Sequence, residues 1–185
     1  SKSFDVSSLA YGWWEGDKFR VRWRHWVIRR EKDEIQRDYQ RHLDHWETLE
    51  HVEVCDHSVQ YERIRIALQE LKRSCDLQKV NVQDWEQELK MEPFPQTIVS
   101  MGPSTYLLES FIRNRNLEMQ ACPVTNYALS CVQIEENVNG DRRVSKARSS
   151  GIVDPIVSLV MVMGILIKMN AERPGAYGDS TDLAF

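Results

Sequence analysis

Two aspartates stand where a carboxylate can do chemistry. Asp84 follows the apolar-alternating segment 79–83 and precedes Trp85, so it projects from the carboxyl end of an expected strand, the end at which open α/β sheets gather ligands. Asp154 opens a strongly apolar helix in the run Val153-Asp154-Pro155-Ile156. Each has a plain structural role open to it, as a turn former and as a helix cap. The chemical alternative is a divalent metal, because hard cations such as Mg2+ or Mn2+ take carboxylate oxygens. A basic segment just before Asp154 holds Arg142, Arg143, Lys146 and Arg148, the residue types that meet DNA phosphates. Acidic residues beside a basic rim suit phosphodiester hydrolysis, in which two metal ions activate water and stabilise the leaving oxygen. Nothing in the sequence alone brings Asp84 and Asp154 together.

Other chemistries find little support. There is no Gly-x-x-x-x-Gly-Lys-Ser/Thr phosphate loop, and no histidine-based nucleophile system stands out. Cys55, Cys75, Cys122 and Cys131 are widely spaced without a C-x-x-C pair, which reads as free, mostly buried thiols in a reducing cytoplasm. His42, His45 and His51 lie in one charged stretch with no cysteine or carboxylate cluster beside them, and solvent-facing side chains are expected. A net charge of −4 and a pI near 5.8 give no overall basic footprint, so any nucleic-acid contact must be a local patch. The N-terminus lacks the basic-then-apolar pattern of a signal peptide. The most apolar run, 156–167, is shorter than the ~20 residues a bilayer requires and reads as a core helix.

The elements that must position these groups follow from periodicity. Residues 9–14 and 19–26 flank Glu15-Gly16-Asp17-Lys18 as an antiparallel hairpin, with Phe19, Val21 and Trp23 on one face and Arg20, Arg22 and Arg24 on the other. That arginine stripe reads as a solvated face or as a phosphate contact surface. Tryptophans 13, 14, 23, 26, 46 and 85 could stack bases, although most sit at core-compatible spacings. An amphipathic helix is expected over 31–51, a strand over 52–55 and a helix from 61 to 73. Strands follow at 79–83 and 97–100, then a helix at 106–112 and an extended piece at 117–121. Asn139-Gly140 centres a second hairpin, the last helix runs from 154 to 169, and the tail from 173 reads as loosely ordered. The alternation predicts an α/β fold with a mixed sheet.

The region from Cys122-Pro123-Val124 to Gly164 resembles the C-terminal signature of tailed-bacteriophage large terminases. The shared elements are a Pro-Val helix, an Asn-Gly hairpin, basic residues, and Ser150-Gly151-Ile152-Val153-Asp154 leading into an apolar helix. Upstream, Val82-Gln83-Asp84-Trp85 is similar to the family's strand ending in Asp before an aromatic. Pro155, where the family has Gly, and Cys131, where it has Asn, depart from the pattern. The resemblance implies a ribonuclease H-like fold, a mixed sheet flanked by helices, forming a nuclease domain over 1–170 with a tail over 171–185 and no ATPase domain. It implies a metal-dependent endonuclease that cuts concatemeric double-stranded DNA with three acids and two Mg2+ or Mn2+ ions. Asp84 would be the second acid and Asp154 the third.

For the first acid two registers stand open. Asp5 in Phe4-Asp5-Val6-Ser7-Ser8 fits the family's Asp-x-Ser motif, whereas ungapped alignment back from the Glu15-Gly16-Asp17 turn puts that acid upstream of Ser1 and truncates the central strand. The second register is preferred, and it leaves a fragment of weak or no activity. The resemblance further implies a phage or prophage protein at the procapsid portal in the host cytoplasm, working with its ATPase domain, the small terminase and the portal protein, and with no membrane. Other readings are a different ribonuclease H-like enzyme, such as a junction resolvase or DDE recombinase, and a non-catalytic α/β module that binds portal or capsid protein.

Overall fold

The computed structural model describes residues 6–28, 42, 44–74 and 94–172. Most of the helix expected over 31–51, the strand over 79–83 and the tail from 173 therefore lie outside the described residues, as do Asp5, Asp84, Trp85 and Cys75.

Strands β1 (Val6–Glu15) and β2 (Lys18–Ile28) form the expected antiparallel hairpin. Gly16 takes φ +64 in the two-residue turn, a left-handed conformation that glycine adopts without a Cβ clash. The opposite edge of β2 is shared by two short parallel strands. β3 (Val52–Cys55) pairs with residues 25–28 and β4 (Leu117–Met119) with residues 19–21. The sheet is thus mixed, and among the described residues β2 bonds to every other strand in it.

Four helices are described: α1 (His57–Ser74), α2 (Ile98–Arg113), α3 (Pro123–Cys131) and α4 (Asp154–Glu172). Pro123 at the first helical position of α3 gives up an N–H that would have lacked a partner. Residues 97–100, expected as a strand, are instead the cap and first turn of α2. The side chain of Thr97 accepts from the Ser100 amide, and the helix goes on to bury Met101, Thr105 and Leu108. A good cap and a buried face outweigh the strand preference of Ile98 and Val99.

α4 is long and apolar enough to span a bilayer by length and composition alone. Here it packs on β1, α2 and α3, and its Val157, Val160 and Met163 are buried with Phe19, Val21 and Trp23 of β2. A second cluster joins Val6, Val27, Trp46, Val52, Cys122, Val124 and Ile152 at the other end of β2. Strands β5 (Ile134–Glu136) and β6 (Arg142–Val144) form the second hairpin, in which the Gly140 amide closes a turn on the Asn137 carbonyl and Gly140 itself takes φ +85.

One close approach locks α4 in place. A Cβ on Gly164 would lie 2.1 Å from the ring of the buried Phe94 and 2.7 Å from Ser104 Oγ. The ~1 kcal/mol that a side chain gains over glycine in a helix is too small to offset such overpacking. Gly164→Val should lower the unfolding free energy by about 2 kcal/mol, read as a reduced urea midpoint. An unchanged midpoint would mean that Phe94 is not seated against this helix.

Candidate active site

Asp154 lies half-buried in the first turn of α4. Two features fix that turn. The buried indole of Trp23 donates to the Pro155 carbonyl at 3.1 Å, and the amides of Ile156 and Val157 both bond to the Val153 carbonyl. A carboxylate at a helix N-terminus is favoured by the helix dipole. It meets a cation there, since Lys146 Nζ is 2.8 Å from Asp154 Oδ1.

The β5–β6 hairpin delivers that lysine. Val144 and Ser145 are buried, and Ser145 Oγ donates to Glu135 Oε2 at 2.9 Å, so the chain leaves β6 in one direction. The other basic residues of the expected rim are arranged differently. Arg143 pairs with Glu135 across the hairpin and donates to the Gln96 carbonyl at 2.9 Å. Arg142 meets Glu136 at 2.7 Å and Glu109 at 3.6 Å. Hydrogen bonds from Arg143 and then Ser145 hold the Glu135 carboxyl below its usual range, while Glu136 raises the pKa of Arg142 further. Lys146 and Arg148 are exposed. Beside Lys146 a cavity of about 260 Å3 opens between Gln96, Met101, Ser145 and Val157.

The structure thus places Lys146 on Asp154 and binds Arg142 and Arg143 to carboxylates. Among the described residues no three His, Cys, Asp or Glu side chains are arranged to hold a metal ion. Asp154 offers one carboxylate, and its Oδ2 accepts no hydrogen bond from the described residues. Asp84 and Asp5, the acids expected to complete the set, are outside them.

A second polar cluster went unread in the sequence. His25 is 1% exposed. Its Nδ1 is 2.9 Å from Ser8 Oγ, its register partner on β1, and its Nε2 is 3.5 Å from Cys122 Sγ. His51 Nε2 approaches the same sulfur to 2.9 Å, so His51 is half-buried here and not solvent-facing as expected. His42 is also half-buried, stacked on Trp46, while His45 is exposed. A signal for His25 was present, because it continues the inward phase of Phe19, Val21 and Trp23. Burial, with the charge of His51 second, lowers the His25 pKa to about 3, and burial lowers that of His51 against the pull of Glu50. Cys122 and Cys131 are free and buried, and Cys55 is free and half-buried.

No family profile and no curated protein matches this sequence. Among solved structures, the chain is similar to the crystal structure of the HK97 bacteriophage large terminase, with a TM-score of 0.78 over 89% of its length at 19% identity. It spans 37% of that terminase's length. The likeness is one of fold, and the mixed α/β architecture, a mixed sheet flanked by helices, is the one expected from the sequence.

The buried histidine gives a pH dependence of definite sign. Between about pH 6.5 and 3 the unfolded chain binds a proton at residue 25 that the folded chain does not, so stability falls as the pH is lowered through that window. The slope is up to about 1.4 kcal/mol per pH unit from this group. His25→Gln should flatten the dependence of the urea midpoint between pH 6.5 and 4.5. An imidazole that titrates near 6.5 by NMR in the folded protein would contradict the assignment.

Proposed function

We propose that this chain is the nuclease part of a viral DNA-packaging terminase, a metal-dependent endonuclease acting on concatemeric double-stranded DNA. The observation that carries the reading is the fold likeness to a bacteriophage large terminase, together with a half-buried carboxylate at the start of the apolar helix and a lysine held against it. Asp154 would serve as one metal ligand, with Asp84 as a second. The third would be Asp5 or an acid upstream of Ser1.

When bound, two Mg2+ or Mn2+ ions would supply an activated water and charge stabilisation for the leaving oxygen. The chain's own residues would do the rest. Asp154, at the start of α4 with Lys146 at 2.8 Å from one of its oxygens, would present its carboxylate to a metal ion. With Asp154 given over to a metal ion, Lys146 would be free to contact a phosphate of the bound strand, with the exposed Arg148 as an outer contact. Arg142 and Arg143 would reach phosphates only by exchanging their glutamate partners, so the rim would be weakest there. Such contacts carry no base information, and cutting would be sequence-tolerant. The remaining partners would be an ATPase domain in the same polypeptide, the small terminase and the portal protein, at the procapsid in the host cytoplasm.

Mn2+-dependent nicking of supercoiled plasmid, by a chain that carries all three acids, is the direct assay. Asp154→Ala and Asp84→Ala should each reduce nicking by more than ~100-fold, beyond the loss typical of disturbing a ligand's supporting residues, with the circular dichroism spectrum unchanged. Lys146→Ala should cost roughly ten-fold, as expected for a lost charged hydrogen bond. Full nicking by Asp154→Ala would sink the site. A strong preference for branched junctions over linear duplex would point to a resolvase instead.

A further inference from the structure

The sheet face turned away from α4 carries an arrangement that the hydrolytic reading does not use. Alternation puts Tyr11 and Trp13 of β1 on this face with Arg20 and Arg22 of β2, and the register sets Tyr11 opposite Arg22 and Trp13 opposite Arg20. The rings of Tyr11 and Trp13 are stacked, 6.2 Å apart at 20°. The Arg22 guanidinium lies 5.3 Å over the Trp13 ring. Arg20 is held by Glu15 at 2.6 Å and Glu118 at 3.3 Å. Arg22 differs, being exposed and meeting no carboxylate among the described residues. Neither the Tyr11 hydroxyl nor the Trp13 indole N–H has a hydrogen-bond partner among them.

A cleft of about 450 Å3 adjoins this group, lined by Tyr11, Arg22, Arg24, His51, Arg63 and Gln120, with Glu50 and Glu53 also at its wall. Glu53 is occupied, by Arg63 at 3.3 Å and by the Trp26 indole at 3.2 Å. The face therefore combines parallel aromatic planes, a cation without a carboxylate, and side-chain donors left for a ligand.

We propose that this face binds single-stranded nucleic acid, with a base stacked on the Tyr11–Trp13 pair and the adjoining phosphate on Arg22. Stacked aromatic planes accept any base, whereas an acidic peptide would use the arginine and leave the rings idle. A duplex keeps its bases paired and out of reach of a flat sheet surface, so single strands are the form selected. The inference stands apart from the hydrolytic reading, since it needs neither Asp154 nor a metal.

The test is fluorescence anisotropy of a labelled oligothymidylate with the 185-residue chain in EDTA. Binding should be tighter than to a duplex of equal length. Trp13→Leu and Tyr11→Leu should each weaken it about ten-fold, and Arg22→Ala should lower the slope of log K against log salt by about 0.7, one phosphate contact on a single strand. Metal is absent from the assay, so failure here is separate from failure of the nuclease reading. Absent oligothymidylate binding, or equal affinity for the duplex, would overturn the proposal. So would unchanged affinity in Arg22→Glu, an exposed substitution that leaves the hairpin's apolar contacts intact.

Discussion

A buried indole must place its N–H, and in this chain that requirement couples the sheet to the candidate site. Trp23 is 1% exposed at the middle of β2, and the acceptor it finds is the carbonyl of Pro155, one residue beyond Asp154. Leaving that donor unpaired would cost about 1–3 kcal/mol, so the bond orients the start of α4 as well as filling space. The strand that carries Trp23 is also the one to which β1, β3 and β4 all bond. Position of the carboxylate, packing of the helix and integrity of the sheet therefore rest on one strand, and a shift of one residue in β2 would disturb all three.

The two faces of that strand do different things. Inward, Phe19, Val21 and Trp23 join the residues of α4 in a continuous apolar core. Outward, along its first half, Arg20 and Arg22 lie beside Tyr11 and Trp13 of β1 and form a surface of charge and planar rings. A period of two is enough to keep these roles apart, because successive side chains leave a strand on opposite sides. The candidate hydrolytic carboxylate and the stacking face thus belong to opposite sides of one sheet.

Much of this organisation was legible in the residues. Both hairpins carried their turn glycines at positions where the backbone takes positive φ, and the alternation identified which side of β2 is buried from 19 to 25, beyond which Trp26 is buried on the other face as well. The start of α4 was marked by Asp154-Pro155. The misreading at 97–100 arose because Ile98 and Val99 favour strands in isolation, whereas the Thr97 cap and the burial of Met101 and Leu108 act only once the helix exists. The basic rim was legible as a charge run, but not that Arg142 and Arg143 would spend their charge on Glu136 and Glu135, since those partners come from register across a hairpin. The contact between Lys146 and Asp154 likewise depends on where that hairpin points. His51 was misjudged because its partner, Cys122, is 71 residues away.

The quartet of Ser8, His25, Cys122 and His51 has a consequence for how the sequence can vary. A neutral imidazole offers one donor and one acceptor, so each member of the chain of contacts sets what its neighbour must supply. Replacing any one of them by an apolar residue leaves a polar group stranded at the junction of β1, β2 and α3, while replacing the set together by well-packed hydrocarbons removes the difficulty. The four positions are consequently coupled, and substitutions among them are expected to be non-additive. Homologous chains should cross between the polar and apolar versions of this junction by concerted replacement, with intermediates that are less stable than either end.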